Sequence, residues 1–456
     1  MTTGKSTTAF NGHVIIIGAG TGGMCLAHGL KQAGISFAVY ERDRTRTGGL
    51  QGYRVGINAD GSRALHACLP PALFDTFVAT CADPIDRFTF MTEQLEELVS
   101  LDFPHQTDPI TSEKSVSRMT LRQVLLTGME EYVHFDKVFT RYEQHPDGKV
   151  TAFFEDGTSA TGDLLVAADG TRSRVRQQYL PHATIKDSGV VAIGGKLPLE
   201  DARKILPPVM LRGSSMFFAP RGGFAVMHVM EFKWDEKGGV KQGIGGNDAE
   251  LIANWPGMLY DNTRDYFMWG VACAAYQAPP DLLKTRGAAL IPMTKAIFPD
   301  WHPKLHRMFE MSDPNACFAL SVSTSVPIPA WKTTNVTLLG DAIHTMTPGR
   351  GAGANTALRD ASLLCRNLTA ARDGKISLTE AVADYESKMR EYGYKAVEES
   401  LENQGGDNPL YKPVIGRVML TGMRMGLRLA NAVPPIKRKM MDNLLKSRGA
   451  ERKEDY

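Results

Sequence analysis

The sequence predicts an α/β protein: a Rossmann-type dinucleotide-binding domain, an interleaved antiparallel-sheet domain and a C-terminal helical extension. Three observations carry this. A glycine-rich turn joins two apolar strands near the start of the chain, two later apolar strands run into turns bearing Asp169 and Asp341, and alternating strands fill the stretch between Gln177 and Val326. A chain of 456 residues has room for two or three such domains with a sizeable core. The 52 Lys+Arg against 50 Asp+Glu leave no basic domain to engage nucleic acid. The charge is uneven, however: residues 410–456 carry 11 Lys+Arg and 4 Asp+Glu. Six cysteines, at 25, 68, 81, 273, 317 and 365, never approach within 12 positions, which excludes a CxxC pair or zinc knuckle and fits a reduced, cytoplasmic chain. The apolar run Val14 to Leu30 has only 17 residues, five of them glycine, so it reads as neither a signal peptide nor a membrane span.

Val14-Ile15-Ile16-Ile17 has the continuous β-branched character of a strand buried on both faces. Gly18-Ala19-Gly20-Thr21-Gly22-Gly23 then supplies GxGxxG: the first glycine makes the turn, the second admits a pyrophosphate and the third lets helix pack on strand. A helix over Met24 to Ala33 and a strand over Ile35 to Tyr40 follow, delivering Glu41 18 residues past Gly23, where a ribose-binding carboxylate belongs. That carboxylate would repel the 2′-phosphate of NADP, so the site takes FAD or NAD.

Farther on, Val138 to Glu143 and Val150 to Glu155 read as a β-meander, and Leu164-Leu165-Val166-Ala167 as another buried strand ending in Asp169-Gly170 with Ser173 and Arg176 beyond. Such a turn lies at the carboxyl edge of the sheet, where ligands bind. Val336-Thr337-Leu338-Leu339 repeats the pattern and runs into Gly340-Asp341-Ala342-Ile343-His344, then Pro348-Gly349-Arg350-Gly351-Ala352-Gly353-Ala354-Asn355 and an amphipathic helix. Glycines at a helix start free backbone N–H groups for an anion. A reduced flavin offers one at its N1/O2 edge and NAD does not, which favours FAD. The 349–354 segment follows a proline rather than a strand and is no second fingerprint.

Together these residues resemble the single-component, class A FAD-dependent monooxygenases with the p-hydroxybenzoate hydroxylase-like fold. The likeness rests on GxGxxG with Glu41, DxxxxxDGxxSxxR from Asp163 to Arg176 and GDAxHxxxPxxGxGxN from Gly340 to Asn355, in that order. It implies FAD held by Gly18, Gly20, Gly23, Glu41 and Arg42 on the adenosine and pyrophosphate side, by Asp169 and Asp341, and by Pro348, Gly351, Ala352, Gly353, Ala354 and Asn355 at the ring. Arg122 is similar to the family's flavin-contacting arginine, in a capping box at Thr120-Leu121-Arg122-Gln123 that would place it in a first helical turn. Arg54 falls where the family passes under the ring, and Lys196 near where some relatives carry an arginine. The implied Rossmann-type FAD-binding domain comprises 1–85, 115–180 and 326–405; the substrate domain, 86–114 and 181–325; the extension, 406–456.

The resemblance further implies NADPH or NADH as reductant, O2 as co-substrate and a small hydrophobic or aromatic substrate that is hydroxylated or epoxidised. A reductase of the geranylgeranyl type and a flavin-binding non-enzyme are the alternatives. Phe224, Val226, His228, Met230 and Phe232 share one strand face, an apolar lining that would keep water from the flavin. His228 is the acid or base candidate there, against the reading of a satisfied core histidine. His344 is expected to shape the flavin loop. His302 and His306 have a metal-like spacing, but Pro303 puts them on different helical faces, and no metal is expected. After the linker Gly405-Gly406-Asp407-Asn408-Pro409, Arg417, Thr421, Arg424 and Arg428 form one helical stripe ahead of Pro434-Pro435. A docked helix is the first reading of this tail, peripheral membrane contact the second.

Overall fold

A computed structural model describes residues 9–45, 53–104, 108–233, 265–404 and 408–449. The linker at 405–407 lies outside them. Five parallel strands form the first sheet, in the order Val336–Leu338, Leu164–Ala167, His13–Ile17, Ser36–Tyr40 and Val133–His134. Val14 sits beside Leu164 and Phe37 in register, and Val14, Ile15 and Ile16 are fully buried, as a strand covered on both faces requires. The helix Thr21–Gln32 begins three residues earlier than expected, directly at Gly20. It is buried along Gly22 to Leu30, and a Cβ on Gly29 would come within 2.6 Å of Cys365 Sγ, so this glycine sets how closely the helix approaches Gly353–Arg372. The meander at Phe139–Gln144, Val150–Phe154 and Ser159–Gly162 forms its own three-stranded sheet.

The second large sheet has seven strands, in the order Phe318–Ser325, Ile185–Pro198, Tyr266–Ala274, Phe224–Met230, Gly213–Phe218, Arg87–Met91 and Glu97–Asp102. It is not wholly antiparallel as expected: Gly213–Phe218 pairs with Arg87–Met91 in parallel. A parallel pair needs a long crossover, and here the chain leaves for the dinucleotide-binding region between the two strands. A short antiparallel pair, Arg54–Ile57 with Lys114–Ser117, spans the gap between the two large sheets and has no clear sequence signature.

The C-terminal part consists of helices Leu378–Gln404, Pro413–Ala432 and Pro434–Ser447, with Pro434 opening the last one at its first turn. Arg424 reaches Glu93 and donates to the Phe218 carbonyl at 2.8 Å, and Arg428 pairs with Glu96 at 2.7 Å. These bonds dock the helix on the edge of the seven-stranded sheet. No helix among the described residues is long and apolar enough to cross a membrane.

Candidate functional site

Between the two large sheets lies a continuous cavity of 1580 Å³. At one end it meets Gly18, Gly20 and Gly23. A Cβ on Gly18, which has φ +107°, would sit 2.4 Å from the Ala168 carbonyl, and one on Gly23 2.3 Å from the Gly18 carbonyl. These two glycines are demanded by backbone packing. Gly20 differs: a Cβ there meets nothing within 4 Å, because it faces the open cavity at the start of Thr21–Gln32. Neither that helix nor Gly353–Arg372 has a side chain capping its N-terminus, and the first residues of both line the cavity. Two sets of unclaimed N–H groups thus face one space, a donor set suited to a pyrophosphate and to the anionic edge of a ring.

Glu41 is buried beside the first glycines, its carboxylate accepting from the N–H of Ala19 at 2.6 Å and of Asp43 at 2.9 Å. Arg42 is exposed at the rim. Arg122 lines the cavity and pairs with Asp43 at 3.1 Å. The expected capping box is corrected: the helix Arg118–Leu126 starts straight from the strand Lys114–Ser117, so Thr120 is buried inside it and Arg122 belongs to its second turn. One turn before it stands Arg118, also on the cavity and missed by the sequence reading, although the fourfold spacing to Arg122 puts both on one face.

Asp169 lines the cavity at the end of its strand and accepts from the N–H of Arg174 at 2.9 Å; burial raises its carboxyl above the usual range. Arg176 donates to the carbonyls of Ala342 at 2.8 Å and Thr171 at 2.9 Å, tying the Asp169 turn to the Asp341 turn. Burial also raises Asp341, with the charges of His344 and Arg118 pulling the other way. Pro348, Gly351, Ala352, Gly353, Ala354 and Asn355 all line the cavity. The Asn355 side chain is used as a clamp: its Oδ1 accepts from Asn58 N–H at 2.9 Å and its Nδ2 donates to the Gly56 and Gly351 carbonyls at 2.8 and 3.0 Å. Behind this loop the buried His344 Nε2 meets Asp360 at 2.6 Å, and Asp360 also accepts from Gly340 N–H at 2.8 Å and the Tyr392 hydroxyl at 2.5 Å. Burial opposes protonation of His344, but the charge of Asp360 and the bond to it outweigh burial and raise its pKa.

At the other end the cavity is roofed by Met216, Phe218, Phe224, Val226, Met268 and Ala272 of the seven-stranded sheet. Phe232, beyond the end of its strand, is buried in a cluster with Tyr266. His228 belongs to the same sheet face but does not line the cavity, a different place from the substrate-facing one expected of a proton-transfer group. It is fully buried, with Nε2 3.0 Å from Ser115 Oγ and Nδ1 2.9 Å from Ser214 Oγ. Ser115 Oγ in turn accepts from Arg54 Nε at 2.9 Å, and Arg54 does line the cavity. Ser214 Oγ gives its proton to the Met227 carbonyl at 3.4 Å and so accepts from Nδ1–H; in the neutral ring Nε2 then accepts from Ser115 Oγ, which itself accepts from Arg54. Burial, then the charges of Arg54 and Arg448, lower His228 well below its ordinary value, which keeps it neutral. Lys196 also stands off the cavity, its Nζ 5.1 Å from the Tyr53 ring centre and 4.9 Å from that of Tyr266. His302 caps its own helix, accepting from Lys304 N–H at 3.1 Å.

A family model described as an FAD binding domain matches residues 11–237 and 322–400. The dual O-methyltransferase/FAD-dependent monooxygenase elcB of Phaeosphaeria nodorum is 29% identical over 415 residues, which are 84% of this chain and 42% of that protein. The chain therefore spans less than half the length of that relative. Among solved structures, a candidate FAD-containing monooxygenase from Photorhabdus luminescens subsp. laumondii superposes with a TM-score of 0.73 at 32% identity, over 85% of this chain and 96% of the other. HpxO of Klebsiella pneumoniae, complexed with FAD and uric acid, shares the fold with a TM-score of 0.71 at 21% identity, over 96% and 97% of the two chains.

Proposed function

Because the chain belongs to the FAD binding domain family, we propose that it is an FAD-dependent monooxygenase that draws electrons from NADPH or NADH and transfers one oxygen atom of O2 to an electron-rich aromatic or alkene substrate. The observation that carries this reading is the continuity of one cavity from the glycine turn at Gly18 to the apolar roof at Phe224 and Met268. A dinucleotide stretched along it would put its reactive ring under a dry sheet face.

FAD would be held by the backbone around Gly18, Gly20 and Gly23 with Glu41 and Arg42 at the nucleotide end, by Asp169, Asp341 and Arg122 along the middle, and by Pro348 to Asn355 at the ring. Bound there, it supplies acceptance of hydride and activation of O2. The rest falls to the chain. The two uncapped helix starts stabilise negative charge on phosphates and ring, and the apolar roof excludes water. Arg54, steered by Ser115 and the neutral His228, presents a fixed cation between ring loop and roof. The test is oxygen uptake by the purified holoenzyme with a panel of phenols and alkenes: O2, nicotinamide and product should be consumed and formed one to one. A chain that purifies without FAD, or that oxidises neither NADPH nor NADH with any substrate, rules the reading out.

The C-terminus supports a peripheral membrane contact as well. On Pro413–Ala432 the face away from the body exposes Val414, Val418, Met425 and Leu429 at 75%, 71%, 64% and 59%, so the helix carries more apolar surface than docking uses. Exposed Lys412, Arg417, Arg438 and Lys439 flank this row and suit an anionic bilayer. All six cysteines are free thiols, which fits a cytoplasmic, membrane-associated chain. Sedimentation with phosphatidylserine vesicles should carry the protein down, and Val418→Glu should release it; equal recovery of both in the supernatant removes this contact.

A further inference from the structure

The last described turns of the C-terminal arm reach the cavity. Leu444, Lys446, Ser447 and Arg448 line it, although every cofactor motif lies far upstream and the family match stops at residue 400. Two contacts hold the arm in place: Arg63 donates to the Gly449 carbonyl, and Gly449, at φ +84°, packs so closely on Asp60 that a Cβ would fall 2.3 Å from its carboxyl carbon. Arg448 is thereby brought against Glu113, with side-chain exposures of 26% and 16%. Arg54 lines the same cavity, and its pKa is lowered to about 10 by burial and then by the charge of Arg448. Asp60 is already paired with Arg63 at 2.8 Å, so among the described residues Glu113 is the carboxylate that both cavity guanidiniums share. Among the described residues, two arginines thus stand against one acid on the wall of the cavity, an excess of one positive charge in that group.

We propose that Arg448 and Arg54 form an anion-recognising pair in the substrate pocket, completed by the C-terminal arm, and that the substrate is an apolar ring system bearing an ionised group, a carboxylate or an acidic phenol or enol. This rests on the reading of the cavity as a monooxygenase pocket and adds the substrate's charge to it. The Arg54–Ser115–His228–Ser214 chain fixes one member of the pair from within, and the C-terminal arm delivers the other. Glu113 holds Arg448 until substrate arrives, competing with the ligand's anion.

The test compares 2-naphthoate with its neutral isostere 2-naphthamide on the 456-residue protein. Isothermal calorimetry reads binding with or without flavin, and flavin absorbance separately reports FAD content, so a failure of the pair and a failure of the monooxygenase reading give different results. The wild type should bind the carboxylate at least about tenfold more tightly than the amide, the scale of one charge-assisted hydrogen bond. Arg448→Met should remove most of that preference, Arg448→Lys should keep part of it, and Glu113→Gln should widen it. An ion pair with only an architectural role predicts instead that Arg448→Met and Glu113→Gln weaken both probes alike. That outcome, equal binding of the two probes by the wild type, binding of neither, or an unchanged preference in Arg448→Met would each overturn the proposal.

Discussion

The two ends of the cavity are built by different means. The dinucleotide end is made of backbone: Gly18 and Gly23, which no side chain could replace, helix starts without caps, and Asp-bearing turns at the carboxyl ends of parallel strands. Its parts are short contiguous runs, each of which carries its geometry locally. The other end, the proposed substrate end, is made of side chains drawn from Arg54, Glu113, the strands around Phe224 and the arm at Arg448, with Ser115 behind Arg54, which meet only once the chain has folded. A backbone site is specified by where glycine must stand, and a side-chain site by which distant segments happen to converge.

The largest effect expected from breaking this contrast is at Gly18. Gly18→Ala forces a Cβ against the Ala168 carbonyl in a left-handed conformation and should cost about 1–3 kcal/mol of stability together with FAD binding. Gly20→Ala, with open space around it, should leave the melting temperature near wild type and weaken FAD alone. Denaturation with parallel flavin absorbance separates the two, and equal destabilisation by both would erase the distinction drawn between them. Next in size, Asp341→Ala should weaken FAD retention by about 1.5–3 kcal/mol, the value of a charge-assisted hydrogen bond, with little change in folding. Normal FAD titration in this variant would remove Asp341 from the cofactor site.

Deleting 410–456 should act on the other end. FAD binding should persist while the melting temperature falls by a few degrees, roughly 2–4 °C for each kcal/mol of docking lost. Loss of all flavin on truncation would show that the arm serves the cofactor end too.

The smallest expected effect sharpens the comparison through one buried histidine at each end. His344, raised above its ordinary value because Asp360 outweighs burial, contributes stability that is present below the unfolded histidine value of about 6.5 and is lost as pH rises through the folded pKa. His228 is lowered by burial and by Arg54 and Arg448, so it is neutral in the folded protein, and stability falls as pH drops below about 6.5, where the unfolded chain takes up a proton that the native one refuses. Melting temperature against pH should therefore lose its alkaline-side decline in His344→Gln and part of its acid-side decline in His228→Gln. The same slope change in both variants would contradict the opposite signs.

Much of the dinucleotide end was legible because its determinants are local. Gly18 to Gly23 after an apolar strand, Asp341 after another, and the glycines before Asn355 each announce a turn at a sheet edge, since few other residues can occupy such backbone. The helix start at Thr21 rather than Met24 and the second-turn position of Arg122 were missed by a few residues, because ends are set by what the neighbouring strand delivers and not by propensity. Arg118 was within reach, one turn from Arg122. His228 could be seen as a histidine on an apolar strand face, but its hydrogen bonds to Ser115 and Ser214, 113 and 14 positions away, could not. Lys196 looked equally suited to a ring, and only the packing of Tyr53 and Tyr266 around it shows where its charge is spent. The basic tail was visible as charge, and the arrangement that docks Arg424 on Glu93 and sends Arg448 into the cavity was not. The sequence by itself determined the βαβ frame and its cofactor turns, because backbone conformation is a short-range property. Tertiary structure alone decided the substrate end, because charge pairing and burial depend on contacts between segments far apart in the chain, and no spacing in the sequence encodes them.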